Sequence, residues 1–583
     1  MWLPAVLDRA NSMQQRDKNH PSVILWSCGN ESFGGKVIWE MSRQMRRFDP
    51  SRPIHYEGVA NDQRYPDTTD LTSRMYTHAE DVPALIKTNP DKPFILCEYA
   101  HAMGNSCGAL HKYLALEEQY PQYAGACVWD YVDQALWVTA PNGKKRLAYG
   151  GDFGERPHDG EFCGNGLVFA DRSITPKLLE VSWQYQPVRI LPDASGVTLE
   201  NYALFANTDR YDLHWQLLRD GQPVAEGVVE KPSVEAGRSG FVPLGLPQMQ
   251  QAGEYVLHCG LYLHQPTDWA SADDELMFGE AVVAKVQTAA VEAAPAAATV
   301  TDYNLNISDS KASMILGMGG NGLLSLKGHG GYELMMTPPA LSLYRAPTDN
   351  DRGCGNHCDE AFWMGVCAGA RCVADPCEDP ENHAAQMAYR WELPYAGNAW
   401  AETTYTALGD GRVQVDVAFH GAENLPELGN VALAFRLPLQ VNRLSYYGLG
   451  PQETYPDRKM GGKLALHHTT AQNSYTAYLR PQECGNHEDV RFAEIVDDTG
   501  YGLRVESVEN PLSISVLPWS AAELTFARHQ DELAAPTYTW LEVAGFRRGI
   551  GGDDSWGSPV HPEYSLPSGR DYSFSFVLSV LDR

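Results

Sequence analysis

Phe94-Ile-Leu-Cys97, running directly into Glu98-Tyr99-Ala100-His101, is the stretch on which the fold of this chain turns. Four apolar residues that end in charged and polar ones predict a short buried strand delivering reactive side chains at its carboxyl end. The same arrangement recurs on both sides. Upstream, Ser22-Val-Ile-Leu-Trp-Ser27 leads into Gly29-Asn30-Glu31, Pro53-Ile-His-Tyr-Glu57 predicts another strand, and a third ends at Met75-Tyr76. Downstream, Gly125-Ala-Cys-Val-Trp129 precedes Asp130. Segments of helical period lie between them: Leu3, Val6, Leu7, Ala10 and Met13 before the Asn19-His20-Pro21 turn; Val37, Met41 and Met45; a helix after Asp81; and one from about Ser106. Strands alternating with helices predict parallel β/α units, five of them here. A complete eight-stranded barrel takes ~250 residues, so residues 1–187 read as the C-terminal part of a (β/α)8 TIM barrel, an arc with two unpaired edges.

From about Val188 the period changes to two, in Val197-Thr-Leu-Glu-Asn201, Leu213-His-Trp-Gln-Leu-Leu218 and Gly253-Glu-Tyr-Val-Leu-His258. That pattern predicts an immunoglobulin-like β-sandwich over 188–287, followed by an Ala/Pro linker over 288–300 and a large β-sandwich with long loops over 301–583. The expected class is multidomain, α/β plus all-β. At 583 residues the chain can bury several cores without help from disulfides. Its 45 Lys and Arg against 74 Asp and Glu leave a net charge of −29, which repels phosphate backbones and anionic lipid, so no nucleic acid and no membrane is expected as partner. The first residues lack the basic region and long apolar run of a secretory signal, and no apolar stretch reaches the ~18 residues of a membrane span; the expected location is cytoplasmic. Twelve Cys fit a reducing compartment, with Cys28, Cys97 and Cys127 read as small buried hydrophobes. Cys354, His357, Cys358, Cys367, Cys372 and Cys377 crowd together without a C-x-x-C pair, and are read as free thiols in a long loop rather than as a zinc site.

In a (β/α) barrel the active face is built at the carboxyl ends of the strands. Here those ends carry Asn30-Glu31, Tyr76, Glu98 with His101, and Trp129. Two glutamates on different strand ends of one barrel face each other across its mouth. Hydrolysis of a glycosidic bond needs such a pair, one protonated for the leaving oxygen and one ionised for the anomeric carbon. Taken alone, Glu31 also fits the first turn of a helix, where an acidic residue favours the dipole. The repetition at successive strand ends favours chemistry, with Tyr76 and His101 suited to bond a carboxylate or a sugar hydroxyl. An aromatic at the mouth, such as Trp129, suits the apolar face of a pyranose. Trp556, in Gly551-Gly-Asp-Asp-Ser-Trp556-Gly557, cannot lie inside a sandwich strand and is expected at an exposed loop tip.

Gly29-Asn30-Glu31-Ser32 and Cys97-Glu98-Tyr99-Ala100-His101-Ala102-Met103-Gly104-Asn105-Ser106 resemble the two signature segments of the lac-type β-galactosidases of glycoside hydrolase family 2. Further matches, among them Tyr149-Gly150-Gly151-Asp152, Arg345-Ala346-Pro347-Thr348-Asp349-Asn350-Asp351 and Gly551-Gly-Asp-Asp-Ser-Trp556, extend the resemblance over nearly the whole chain. The resemblance implies retaining hydrolysis of terminal β-galactosides, with Glu98 as nucleophile and Glu31 as acid and then base. It also implies sugar binding by Asn30, Tyr76, His101, Trp129, Asn165 and Trp556. A magnesium ion would be held by Glu31, and a sodium ion by the carbonyl of Phe162 and by Asn165. The family's jelly roll, first immunoglobulin-like domain and first barrel strands have no counterpart here, so both metal sites are half present. The family suggests a homo-oligomer, a tetramer; the open barrel edges suggest instead a chain that is inactive alone and needs a complementing N-terminal fragment, or a sugar-binding remnant.

Overall fold

The computed structural model describes residues 2–287, 297–374 and 386–582. Its first part alternates helices and short strands: α1 Leu3–Asp17, β1 Trp26–Ser27, α2 Lys36–Phe48, β2 Ile54–His55, β3 Thr72–Met75, α3 Val82–Thr88, β4 Phe94–Tyr99, α4 His111–Gln119, β5 Tyr123–Val128 and α5 Pro176–Gln184. Pro4 opens α1, where its missing N–H has no partner to lose. Strand β1 pairs parallel with β2, and β3, β4 and β5 form a second parallel sheet. The five strands thus exist, but β1 is shorter than its apolar run suggested. Residues 22–25 lie outside any ladder, because the single neighbour, β2, is itself two residues long.

Alternation along β4 explains where Glu98 lies. Phe94 and Leu96 pack with Val82, Ile86, Leu110 and Leu116 on the helix side, while Ile95 and Cys97 line the opposite face. A register irregularity then falls between Leu96 and Tyr99, so that Tyr99 rejoins the helix-side core and Glu98 remains beside Cys97. Such an extra residue re-aims a side chain without ending the strand. On that face a groove of about 960 Å³ opens between β1 and β5, lined by Val23, Ile24, Asn30, Ile95, Cys97 and Cys127. Cys127 is therefore exposed rather than buried, on a strand that is the edge of its sheet among the described residues.

Residues 188–286 form two antiparallel sheets, of four and three strands, around Leu199, Leu213, Leu217, Leu257 and Leu261. The remainder is dominated by a nine-stranded and a five-stranded sheet closed on a core that includes Leu316, Val415, Phe435, Leu503, Val543 and Phe576. Two sequence expectations need correction here. The linker expected over 288–300 ends early, because Ala297–Val300 is a strand paired with Asn304–Ser308; residues 288–296 lie outside the described residues. The cysteine cluster is not a loop. Cys354 ends helix α6 (Asp349–Cys354), His357, Cys358 and Cys367 ride on helix α7 (His357–Gly369), and Cys372 is in the strand Arg371–Ala374; Cys377 lies outside the described residues. Trp363 and Val366 bury one face of α7 against Leu341, Leu343 and Leu428, a packing that cysteine spacing could not reveal. Among the described residues no group of three or more His, Cys, Asp or Glu is placed to hold a metal, and no helix is long and apolar enough to cross a membrane.

Every residue from His101 to Leu110 is buried although the run has neither helix nor strand. A buried loop must find partners for its backbone polar groups, and here they come largely from the C-terminal sandwich. Asn105 N–H donates to Gln482 Oε1 (3.0 Å), Gly108 N–H to the Gly551 carbonyl (2.8 Å) and Ala109 N–H to the Asp457 carbonyl (2.7 Å). Arg458 donates to the Ser106 carbonyl (2.9 Å), and the buried Lys177 ammonium to the Ala102 carbonyl (2.6 Å). The approach is close enough that a Cβ at Gly108 would stand 2.2 Å from an Asp457 carboxylate oxygen.

Behind this seam Arg345 and Arg548, both without exposed side-chain surface, share Asp351 and Glu360. Arg548 lies 2.6 Å from Glu360 and 3.1 Å from Asp351. Removing one cation from such a group strands buried carboxylates. Arg548→Met is expected to cost about 3–5 kcal/mol in urea unfolding, against a surface control such as Arg9→Met with no measurable change.

Candidate active site

Four strand ends bring Glu31, Glu57, Tyr76 and Glu98 into one polar group. Glu31 follows β1 in a left-handed conformation (φ 50°), and its N–H donates to the carboxylate of the buried Glu57, just past β2, at 3.2 Å. Tyr76, just past β3 and also left-handed (φ 48°), donates its hydroxyl to Glu98 Oε2 at 2.9 Å. Its own backbone N–H bonds the Glu98 carbonyl at 2.9 Å, which holds the two residues side by side. Such φ values are uncommon outside glycine and are tolerated where surrounding contacts dictate them.

Burial raises the Glu98 carboxyl above its ordinary range; the bonds from Tyr76 and Asn30 pull it down, and the charges of Glu31 and Glu57 push it up. The charge of Glu31 thus reaches the Glu98 carboxyl. The Tyr76 hydroxyl is held protonated by burial, by its bond to Glu98 and by the charge of Glu31, so it acts as a donor.

The second wall is aromatic. Trp556, half exposed on the loop expected for it, meets Tyr76 edge-on at 4.6 Å and His101 at 5.2 Å between ring centroids. Phe162 lies 5.4 Å from His101 and 6.4 Å from Trp556. His101 is almost wholly buried, and burial lowers its pKa to about 4, so the ring is neutral. It bonds no carboxylate. Its Nδ1 meets Ser555 Oγ at 2.8 Å, and its Nε2 lies 3.4 Å from Asn165 Nδ2. Asn165 also donates to the Phe162 carbonyl at 3.2 Å, while its Oδ1 is buried without a partner. An orphaned amide oxygen next to a carbonyl is a donor set that suits a hard cation. Trp129 is half-buried beyond β5, with its carbonyl accepting the Ala102 N–H at 2.7 Å.

Tyr76, Glu98, His101, Asn165 and Trp556 are thus linked through direct contacts that include Phe162, with Trp129 joined by its carbonyl to Ala102, while several participants went unread. Glu57 counted only as the end of a strand, and the ring of Phe162 had no signal beyond its carbonyl. The loop carrying Trp556 is shaped by its neighbour Asp554, whose Oδ1 accepts the N–H of Trp556, Gly557 and Ser558, each at 2.9 Å. The preceding Asp553 accepts from His78 at 3.0 Å and lies 3.0 Å from His561, pinning the loop to the chain just past Tyr76. The polar run 551–557, too rich in Gly and Asp for a strand, was the only clue to this.

Comparison with known proteins bears on this geometry. Residues 1–190 match the model of the glycosyl hydrolases family 2 TIM barrel domain, 197–284 that of β-galactosidase domain 4, and 312–578 that of the β-galactosidase small chain. A β-galactosidase of Halalkalibacterium halodurans is 40% identical over 99% of this chain and 57% of its own length. A β-galactosidase of Streptococcus thermophilus is 38% identical over 100% of this chain and 58% of its own. The chain spans a little over half the length of the curated relatives it matches.

The His78 contact makes the Trp556 loop sensitive to pH. Asp553 raises the His78 pKa above the ordinary ~6.5, opposed by burial and supported by Glu80 and Asp554. A raised imidazole pKa stabilises the docked loop fully below the ordinary value, and that contribution is lost as pH rises through the raised one. Hydrogen-exchange protection of residues 551–558, corrected for intrinsic rate, is expected to fall as pH is raised from 6 toward 9, and to fall less in His78→Ala.

Proposed function

The chain belongs to glycosyl hydrolase family 2, and from that membership we propose that it carries the reacting carboxylates of a retaining β-galactosidase. In this reading Glu98 attacks the anomeric carbon of a terminal β-galactosyl residue while Glu31 protonates the leaving oxygen. Glu31 then removes a proton from water as the galactosyl ester on Glu98 is hydrolysed. The observation that carries it is the Tyr76–Glu98 bond at 2.9 Å beside a second carboxylate whose charge reaches Glu98. Tyr76 orients the nucleophile, and its bond opposes the upward push of burial on that carboxyl. Asn30, Trp129, His101 and Asn165 would bind galactose hydroxyls and the ring face, and Trp556 would offer a platform to the second sugar. Supporting the same reading, residues 1–187 would form part of a (β/α)8 barrel, 188–287 an immunoglobulin-like sandwich and 301–583 the large sandwich, in a cytoplasmic protein.

The metals fare differently. Asn165 Oδ1, orphaned and buried next to the Phe162 carbonyl, fits a sodium site that would fix a sugar hydroxyl by charge. Glu31 lacks companions for magnesium among the described residues, so the residues present do not fit that ion.

A second reading concerns partners. Among the described residues the outer edges of β1 and β5 have no ladder partner, and the 960 Å³ groove runs between them. Unpaired edges are templates for another chain, so activity could require a polypeptide that supplies further β/α units, in place of or alongside homo-oligomer contacts.

Hydrolysis of a nitrophenyl β-galactoside tests the first reading. Glu98→Gln and Glu31→Gln are each expected to cost at least about 10²–10⁴-fold in rate, and hydrolysis that survives both would overturn it. If the chain is silent alone, the second reading expects activity on mixing with a polypeptide matching the N-terminal part of a relative; no gain would remove it.

A further inference from the structure

The polar residues behind His101 are wired in one direction. Asn350, on α6 of the C-terminal sandwich, has its Nδ2 3.4 Å from the Asn105 carbonyl and 3.2 Å from the Ile550 carbonyl. Carbonyl oxygens only accept, so this end of the amide is the nitrogen, and both of its hydrogens are engaged. The other end, Oδ1, is then an acceptor, and it lies 3.0 Å from Ser555 Oγ. The single hydroxyl hydrogen of Ser555 is thereby directed at Asn350, leaving Oγ only lone pairs for its other neighbour. That neighbour is His101 Nδ1 at 2.8 Å, which must supply the hydrogen between them.

The far edge of the ring repeats the logic. The Phe162 carbonyl, 3.2 Å from Asn165 Nδ2, decides which end of that amide is nitrogen. His101 Nε2, 3.4 Å from the same nitrogen, therefore faces a donor and presents its lone pair. Asn165 Oδ1, at the other end of that amide, is buried and unpartnered, as the sodium reading requires. His101, Asn350 and Ser555 are each no more than 4% exposed, so bulk solvent cannot scramble the pattern.

We propose that Ser555 and Asn350 are positioning residues that set the tautomer of His101, keeping its hydrogen on Nδ1 and leaving Nε2 as an acceptor of this wall. Such a wall selects groups that donate, sugar hydroxyls foremost, and turns away carboxylates and carbonyls, whose lone pairs would meet its own. The two residues come from the C-terminal sandwich and His101 from the segment after β4, so the sandwich specifies hydrogen-bond polarity in the pocket as well as supplying Trp556. The hydrogen-bond argument stands without the β-galactosidase reading; only its consequence for sugar binding rests on that reading.

Long-range proton–nitrogen correlation on the whole chain labelled with ¹⁵N-histidine reads the tautomer directly, with the His101 signals identified by their loss in His101→Gln. The expected wild-type ring has a protonated Nδ1 and a bare Nε2. In Ser555→Ala the hydrogen is expected to move to Nε2 in a measurable fraction of molecules, and Ser555→Thr, which keeps the hydroxyl, to restore it to Nδ1. A wild-type ring protonated on Nε2 overturns the proposal, and that measurement needs no variant at position 555. A tautomer unchanged in folded Ser555→Ala overturns it equally. Absence of β-galactoside hydrolysis alongside the expected tautomers would remove the functional reading and leave the relay intact.

Discussion

Much of this structure depends on the burial of one irregular segment, His101 to Leu110. A loop withdrawn from water must have its N–H and carbonyl groups met by fixed partners, since each one left unpaired costs on the order of 1–3 kcal/mol. Ten consecutive buried residues without secondary structure would be untenable on the β/α part standing alone. Partners from Asp457, Arg458, Gln482 and Gly551, hundreds of residues later, make the segment possible, and the chain after β4 is thereby seated on the C-terminal sandwich. The absence of a side chain at Gly108 is part of the same constraint, because any Cβ there would collide with Asp457.

That seam reaches the pocket in two places. One is Glu98, which lies three residues before the buried run and is oriented by a register irregularity in β4 and by the backbone bond to Tyr76. The other is the loop 551–558, which leaves the seam at Gly551 and carries Trp556 to within ring contact of Tyr76 and His101. Asp553 and Asp554 divide the work: one fastens the loop to His78, and the other folds it around its own carboxylate. The pocket is therefore a composite, with carboxylates from the β/α part and an aromatic wall completed by the sandwich.

Electrostatics follow from that composition. Burial pushes the Glu98 carboxyl up, and the nearby charges of Glu31 and Glu57 push it the same way. The Tyr76 hydroxyl offsets this, while the neutral His101 adds no charge of its own. The far side of the seam is built from the opposite material, with Arg345 and Arg548 neutralising Asp351 and Glu360 out of reach of water.

Local chemistry made a good part of this legible in the sequence. The strand ends at Asn30-Glu31, Tyr76 and Glu98 were readable because a polar residue just after a short apolar run has few other places to go, and the loop at Trp556 because Gly-Gly-Asp-Asp cannot sit inside a strand. The helices carrying Cys354 to Cys367 were not, since thiols pack in helices and loops alike. Nor were Glu57, Asn350, Asp553 and Ser555, which look like ordinary polar residues until the fold brings them to their partners. Sequence by itself determined which residue types could do chemistry and the order of elements that present them, because periodicity and strand ends are properties of a few neighbouring residues. Only the tertiary structure decided which of them meet and which way each hydrogen points, because those outcomes are set by contacts such as His101 with Ser555, 454 positions apart, on which local sequence has no hold.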